Sequence, residues 1–185
     1  MAESSIVQIV PLANATLFDQ DGRPVRMGTL WQTGTVLFVF LRHFACVACR
    51  AHAAEVWSQR AKYQVGNTRI IFIGNGQPQF IKTFKEDLQI QDAVIYTDPK
   101  LVSFKAAGFQ RGFFRALGPK SLINGRKLIR AGHKQGQYEG AMGDLWQLGG
   151  LLVIKPDGRV AYHFISESTG DFPAEDEIKE TPWIS

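Results

Sequence analysis

The stretch Thr35-Val-Leu-Phe-Val-Phe-Leu-Arg-His-Phe-Ala-Cys-Val-Ala-Cys-Arg50 decides the fold of this chain. It opens with an almost continuous apolar run, 35–41, which is typical of a strand buried on both faces. A helix is predicted from about Cys46 to Ala61, so the strand delivers Cys46 and Cys49 to a helix N-terminus. The three-residue spacing places both sulfurs on one helix face, close enough for a disulfide.

These two cysteines are the only ones in the chain, and their placement predicts dithiol redox chemistry. Helix-terminal amides and the macrodipole stabilise an anion, so Cys46, nearest the helix start, is expected to be the nucleophile. Cys49 lies one turn further in and is expected to resolve a Cys46 sulfenate or mixed disulfide. Arg42 and Arg50 bracket the pair, and either one is a candidate to stabilise a thiolate or a peroxide oxyanion. Surface salt links are the alternative interpretation for both arginines.

His43 and His52 raise the alternative of a metal site, because with the two cysteines they make four potential ligands. Cys46, Cys49 and His52 advance along one helix in three-residue steps, so closing a tetrahedron around a metal requires unwinding the helix. We therefore expect no bound metal. His43 is interpreted as a polar residue at the strand–helix junction or a local proton donor. His52 is expected to pack or to be solvated.

The rest of the chain alternates strands and helices. Strands are predicted at 69–74 and 93–97, helices at 78–88, 99–108 and 120–131, an N-terminal hairpin at 15–27 and a final hairpin at 149–165. This order predicts an α/β fold of the thioredoxin-like type, in three layers, with a central mixed sheet and helices on both faces. We expect one domain at 12–173, an N-terminal extension at 1–11 and a C-terminal tail at 174–185 that is acidic and forms a short exposed helix or frays.

Composition excludes several classes of protein. The 185 residues are 45% hydrophobic and 21% charged, as in ordinary soluble domains, and no apolar segment is long enough to span a membrane. The start of the chain lacks signal-peptide features, and two cysteines suit a reducing compartment, so a cytoplasmic location is expected. The net charge is +4, but the basic residues enriched at 111–134 carry no nucleic-acid-binding motif, so no nucleic-acid partner is expected.

Two blocks, Phe40-Leu-Arg-His-Phe-Ala-Cys-Val-Ala-Cys-Arg50 and Gly143-Asp-Leu-Trp-Gln-Leu-Gly-Gly-Leu-Leu-Val-Ile154, resemble the peroxiredoxin-like branch of the AhpC/TSA antioxidant superfamily. The segments 17–22 and 168–173 are similar to the same branch. The resemblance implies an antioxidant oxidoreductase with a redox-active disulfide that reduces a hydroperoxide or a lipid endoperoxide, and it leaves a homodimer open. It also implies no bound cofactor and regeneration by an external thiol, thioredoxin or glutathione. For a bulky apolar oxidant, the candidate lining residues are Phe109, Phe113 and Phe114, which core packing explains equally well.

The chain departs from the two better-known groups at specific positions. Val39 and His43 stand where peroxiredoxins proper have the Pro and Thr/Ser of Pro-x-x-x-Thr/Ser-x-x-Cys. Gly149 and Gly150 stand where thioredoxins have a cis-proline, and they are expected either to present backbone groups beside the sulfurs or to form a bulge. Two functions therefore remain open: a peroxidase or disulfide reductase, and a non-catalytic thioredoxin-like redox-sensing or interaction module.

Overall fold

The computed structural model describes residues 7–64, 66–112, 118–136 and 143–173. Its helices are α1 (Ile9–Asn14), α2 (Val47–Ser58), α3 (Arg60–Tyr63), α4 (Phe80–Leu88), α5 (Val102–Ala106) and α6 (Pro119–Arg130). Its strands are β1 (Thr16–Phe18), β2 (Pro24–Arg26), β3 (Val36–Phe40), β4 (Arg69–Gly74), β5 (Val94–Thr97), β6 (Gly150–Ile154) and β7 (Val160–Ile165). A 3₁₀ helix spans Met27–Trp31.

The strands form one mixed seven-stranded sheet in the order β2-β1-β5-β4-β3-β6-β7. The three central strands β3, β4 and β5 are parallel, and every other pairing is antiparallel. The predicted N-terminal hairpin is confirmed: Thr16 pairs with Arg26, and Gly22 closes the turn with a φ of +76°, which favours glycine. β3 lies between β4 and β6, so the strand that leads to the cysteines is in the interior of the sheet.

Two hydrophobic cores cover the two faces of the sheet, as the apolar run at 35–41 predicts. Leu37 and Val39 face the core formed with α2 and α4, whereas Phe38 and Phe40 face the core formed with α1, the 3₁₀ helix and α5. Leu128 of α6 packs against the first core, so α6 lies on the same side as α2. The predicted three-layer arrangement is confirmed. In the parts of the chain that the structure describes, no helix has the length and apolarity to cross a bilayer.

The extent of the cysteine helix differs from the prediction. The helix begins at Val47 and breaks after Ser58, and the short α3 follows it. Ala61, the last residue of the predicted helix, is exposed, whereas every residue from Val47 to Ala53 is buried. The first two turns are enclosed because the sheet, α6 and the loop after β7 surround them, which makes the usual one-sided apolar pattern a poor guide there.

Candidate active site

The junction between β3 and α2 is fixed by a buried aromatic side chain. Phe44 is fully buried, and its ring lies against Gly74, where a Cβ would come within 2.4 Å of the ring. The glycine that ends β4 therefore makes room for the turn that carries the cysteines. Cys46 is the N-cap residue of α2, with extended backbone angles, and its carbonyl accepts the first helical hydrogen bond from the Arg50 N–H at 2.9 Å.

The two thiols are unbonded, buried and electrostatically different. Cys46 is 5% exposed and Cys49 is 4% exposed. A hydrogen bond from the Cys49 thiol lowers the pKa of Cys46 to about 6, helped by the charge of Arg42 and by the amides of Cys49 and Ala48, although burial opposes the shift. The pKa of Cys49 is raised well above its ordinary value, because it donates that hydrogen bond, is buried and lies beside the Cys46 charge. At neutral pH, Cys46 is therefore the thiolate and Cys49 the thiol.

Arg42 is a buried cation held by neutral groups. Its Nε donates to the Leu145 carbonyl at 2.9 Å and its Nη1 donates to Thr169 Oγ1 at 2.7 Å. Its backbone N–H donates to Cys49 Sγ at 3.2 Å. Within the described part of the chain no carboxylate pairs with this guanidinium, so its positive charge acts on the thiols. It also helps to lower the pKa of His43.

Arg50 is oriented toward another helix. Its Nη2 lies 2.9 Å from Asp87 Oδ2, and its guanidinium lies over the Phe84 ring of α4 at 5.9 Å. Asp87 balances its charge, and Arg42 is the arginine whose charge lowers the pKa of Cys46. The salt link considered from the sequence is partly buried for Arg50, whose partner Asp87 is exposed, and Arg42 makes none with the described residues.

Both candidate histidines are buried and neutral at physiological pH. Burial, with help from Arg42, lowers the pKa of His43 to about 3, and burial lowers that of His52 to about 3. His52 packs, as expected, in a parallel stack on Phe172 with 3.7 Å between ring centroids. Among the described residues, no group of three or more Cys, His, Asp or Glu side chains is placed to hold a metal ion.

The two glycines are buried where strands approach closely. A Cβ on Gly149 would lie 1.8 Å from the Phe40 carbonyl oxygen, and one on Gly150 would lie 2.1 Å from that of Phe164. Gly149 also lines a cavity with Cys49, so it does reach the dithiol. Its carbonyl accepts a hydrogen bond from the Ser166 N–H at 3.2 Å. The described residues contain no cis peptide bond.

The loop that follows β7 completes the site, although no motif in the sequence predicts a chemical role for it. A cavity of about 20 Å³ beside Cys49 is lined by Phe40, Arg42, Cys49, Leu148, Gly149, Ser166, Ser168, Thr169, Gly170 and Phe172. A neighbouring cleft of about 200 Å³ lies between α2 and α6 and is lined by Ala48, Ala51, His52, Glu55, Lys127, Leu128, Gly170 and Phe172. The sequence signal for this loop is the resemblance of 168–173 to the peroxiredoxin-like branch, which assigns no role to its residues.

Three phenylalanines are candidates to line an apolar pocket for the oxidant, and the one that the structure describes lies in the core instead. Phe109 packs in the second core, with its ring centroid 4.7 Å from that of Phe40. Phe113 and Phe114 lie outside the described residues. On the other side of the dithiol, the Gly136 N–H donates to the Ala45 carbonyl at 3.0 Å, so the segment after α6 covers the turn that leads to Cys46.

Comparison with known proteins agrees with this geometry. The family model described as AhpC/TSA antioxidant enzyme matches residues 56–168, which begin after the two cysteines. Prostamide/prostaglandin F synthase of Salmo salar is 31% identical to this chain, and the match covers 94% of this chain and 87% of that protein. Prostamide/prostaglandin F synthase of Danio rerio is 32% identical, and the match covers 89% of this chain and 82% of that protein. The thioredoxin-like protein AAED1 of Arabidopsis thaliana, described as chloroplastic, is 28% identical over 90% of this chain and 69% of its own.

Solved structures show the same fold at low sequence identity. A peroxiredoxin-like protein from Aquifex aeolicus superposes with a TM-score of 0.58 over 89% of this chain and 79% of its own, at 14% identity. A secreted disulfide oxidoreductase of Mycobacterium tuberculosis superposes with a TM-score of 0.53 at 12% identity, and the superposition covers 91% of this chain and 93% of that protein. The predicted thioredoxin-like fold is thus confirmed. Because the family match spans most of the chain and relatives over 30% identical span nearly all of it, this protein belongs to the AhpC/TSA antioxidant enzyme family of thiol oxidoreductases.

Proposed function

We propose that this protein reduces an organic peroxide through the Cys46 thiolate and that Cys49 resolves the product. The sulfur of Cys46 bonds to one oxygen of the O–O bond, which breaks, and the other oxygen leaves as an alkoxide and is protonated. With a hydroperoxide, Cys46 becomes a sulfenic acid. Cys49 then loses its proton and attacks the Cys46 sulfur, so a disulfide forms and hydroxide leaves as water.

A lipid endoperoxide follows the same route and yields a diol. Attack on one ring oxygen leaves that oxygen bonded to Cys46 and releases the other as an alkoxide. When Cys49 loses its proton and attacks the Cys46 sulfur, the bound oxygen leaves as the second alkoxide. The Cys49 proton and one proton from the solvent convert the two alkoxides into the hydroxyls of the diol. The relatives named prostamide/prostaglandin F synthase favour a lipid substrate of this type over hydrogen peroxide. Disulfide reduction by the same dithiol is the second candidate, favoured by the likeness to a disulfide oxidoreductase fold.

The observation that carries the proposal is the unequal acidity of two adjacent buried thiols. The lowered pKa of Cys46 makes a nucleophile at neutral pH, and the raised pKa of Cys49 keeps a proton on the second sulfur until the first has reacted. The Arg42 guanidinium lies near enough to stabilise negative charge that develops on the reacting atoms. His43, which stands at the position of the peroxiredoxin hydroxyl, is neutral and therefore adds no charge.

We propose that an external thiol, thioredoxin or glutathione, reduces the Cys46–Cys49 disulfide and that the reaction needs no bound prosthetic group. A reducing compartment such as the cytoplasm suits a protein that must return to the dithiol form. Cell fractionation tests the location. Light scattering of the purified protein tests whether it is a monomer or the homodimer that the family resemblance leaves open.

The activity is tested by coupling NADPH oxidation, through thioredoxin or glutathione, to hydrogen peroxide, cumene hydroperoxide and an insulin disulfide in separate assays. We expect Cys46→Ser to fall to the background rate. Without added thiol, we expect Cys49→Ser to consume one equivalent of peroxide and to retain Cys46 as a sulfenic acid, because no internal disulfide can follow. Wild-type turnover by Cys46→Ser on every substrate would disprove the proposal.

A further inference from the structure

We propose that the loop at 166–172 and helix α6 form a two-part binding site for the oxidant, with the peroxide oxygens in the cavity beside Cys49 and the apolar body in the adjoining cleft. Cys46 lines neither space. Its sulfur accepts a hydrogen bond from Cys49, which lines the cavity, so the peroxide reaches the nucleophile when the Cys49 side chain turns aside. This inference rests on the proposed peroxide reduction, and it assigns residues to substrate binding that the dithiol motif does not include. It makes Ser168, Leu128 and Phe172 specificity-determining residues.

The cavity beside Cys49 is built for a small oxygen-bearing group. Its volume of about 20 Å³ accommodates a group the size of one water molecule. Ser168 lines it, is 7% exposed, and has a hydroxyl with no hydrogen-bond partner among the described residues. An unpaired buried hydroxyl is costly, so it is uncommon unless it serves a ligand. Arg42, which lines the same cavity, supplies positive charge where a peroxide oxygen becomes negative.

The cleft between α2 and α6 has the opposite character. Ala48, Ala51, Leu128 and the ring of Phe172 give it largely apolar walls. Its volume of about 200 Å³ is ten times that of the cavity, which suits a hydrocarbon chain and not a second small polar molecule. Burying a chain there gains free energy in proportion to the apolar area that it removes from water.

Phe172 and Gly170 line both spaces and therefore form the wall between them. The Phe172 ring lies parallel to the His52 ring, at 7° and 3.7 Å, and is only partly buried. His52 Nε2 is buried without a hydrogen-bond partner among the described residues. A rotation of Phe172 away from this stack would join the cleft to the cavity and make the neutral His52 imidazole available to a ligand oxygen.

A peroxide group attached to an apolar chain uses both parts of the site, whereas hydrogen peroxide uses the cavity alone. The structure thus predicts that the two parts can be separated by mutation. Filling the cleft should affect the lipid peroxide far more than hydrogen peroxide, and removing the Ser168 hydroxyl should affect both oxidants alike.

Leu128→Trp fills the cleft, and Ile129→Trp is its matched control, because the neighbouring Ile129 is 56% exposed and does not line the cleft. With linoleic acid hydroperoxide, kept below its micelle concentration, we expect KM to rise on the order of tenfold in Leu128→Trp and to stay unchanged in Ile129→Trp. With hydrogen peroxide, Ile129→Trp should match wild type, and the KM of Leu128→Trp should change far less than its KM for linoleic acid hydroperoxide. Equal KM values for linoleic acid hydroperoxide in the two variants would overturn the assignment of the cleft.

Ser168→Ala tests the cavity and does not depend on whether the larger tryptophan is tolerated. Because the hydroxyl has no partner, its loss leaves nothing unsatisfied, and the melting temperature should not fall. KM should rise about 3- to 10-fold for both peroxides, as expected for one lost hydrogen bond. An unchanged KM for both oxidants would overturn the assignment of the cavity.

A binding measurement separates this proposal from the proposed reaction. Calorimetry with the hydroxy product of linoleic acid hydroperoxide and reduced wild-type protein needs no turnover. We expect the product to bind wild type and Ile129→Trp equally and Leu128→Trp on the order of tenfold more weakly. If the three proteins bind the product as expected but none has peroxidase activity, the binding site is supported and the proposed reaction is refuted. If the protein has peroxidase activity but the product binds equally to all three proteins, the reaction is supported and the proposed binding site is refuted.

Discussion

The hydrogen bond from the Cys49 thiol is the largest cause of the low pKa of Cys46, and Cys49→Ala removes it. Hydrogen bonds to charged groups contribute about 1.5 to 3 kcal/mol, and 1.36 kcal/mol corresponds to about one pH unit. The replaced thiol is 4% exposed, so little water enters to replace the lost donor. We therefore expect the pKa of Cys46 to rise from about 6 by about one to two pH units.

The assay is the pH dependence of alkylation by iodoacetamide, followed by mass spectrometry. In wild type the raised pKa of Cys49 leaves that thiol unreactive near neutral pH, so the midpoint belongs to Cys46. The midpoint is the quantity to compare, because a thiolate with a higher pKa is also a better nucleophile and the rates partly compensate. Cys49→Ser is the matched control, since its hydroxyl donates to the thiolate as the thiol did.

Either of two results would contradict the role assigned to the hydrogen bond from Cys49. A midpoint that stays near 6 in Cys49→Ala would mean that other groups hold the thiolate. A midpoint that rises as much in Cys49→Ser as in Cys49→Ala would mean that the hydrogen bond is not the cause. In the first case the charge of Arg42 would become the leading explanation.

Three further outcomes are expected. Arg42→Gln should raise the alkylation midpoint, whereas Arg50→Gln should leave it unchanged because that arginine pairs with a carboxylate on α4; equal shifts in the two variants would contradict this. Gly149→Ala should destabilise the fold by on the order of 3 kcal/mol in urea unfolding, since its Cβ would lie 1.8 Å from a carbonyl oxygen. Gly125→Ala on α6, with nothing within 4 Å, should stabilise it by about 1 kcal/mol, and similar effects of the two substitutions would refute the packing argument. Burial holds the pKa of His52 at about 3 in the folded state, so only the unfolded state gains its proton as pH falls below about 6.5 and stability is lost toward pH 3. Urea unfolding of His52→Phe should therefore show a loss between pH 7 and pH 5 that is smaller than in wild type by about 2 kcal/mol; an identical loss would contradict the assigned pKa.

Much of the fold could be read from local patterns. The apolar run at 35–41 predicts a strand covered on both faces, and β3 is such a strand. Asp21 and Gly22 predict a turn, and Gly22 adopts the positive φ that the turn requires. These predictions succeed because strand burial and turn geometry depend on a few adjacent residues. The inner face of α2 could not be predicted in this way, because what surrounds a helix depends on distant segments.

The candidate site also has features that the sequence predicts and features that depend on the tertiary structure. Sequence alone determined that the two thiols lie together, because two cysteines three residues apart at a helix start share one face of the helix. Only the tertiary structure decided how they are supported. It turned Arg50 toward Asp87, left Arg42 with neutral partners beside the thiols, and brought the loop after β7 across the helix that carries them. The physical reason is that the effect of a charge and the shape of a cavity depend on all the groups around them. Here those groups include Leu145 and Thr169, more than a hundred residues away from Arg42 along the chain.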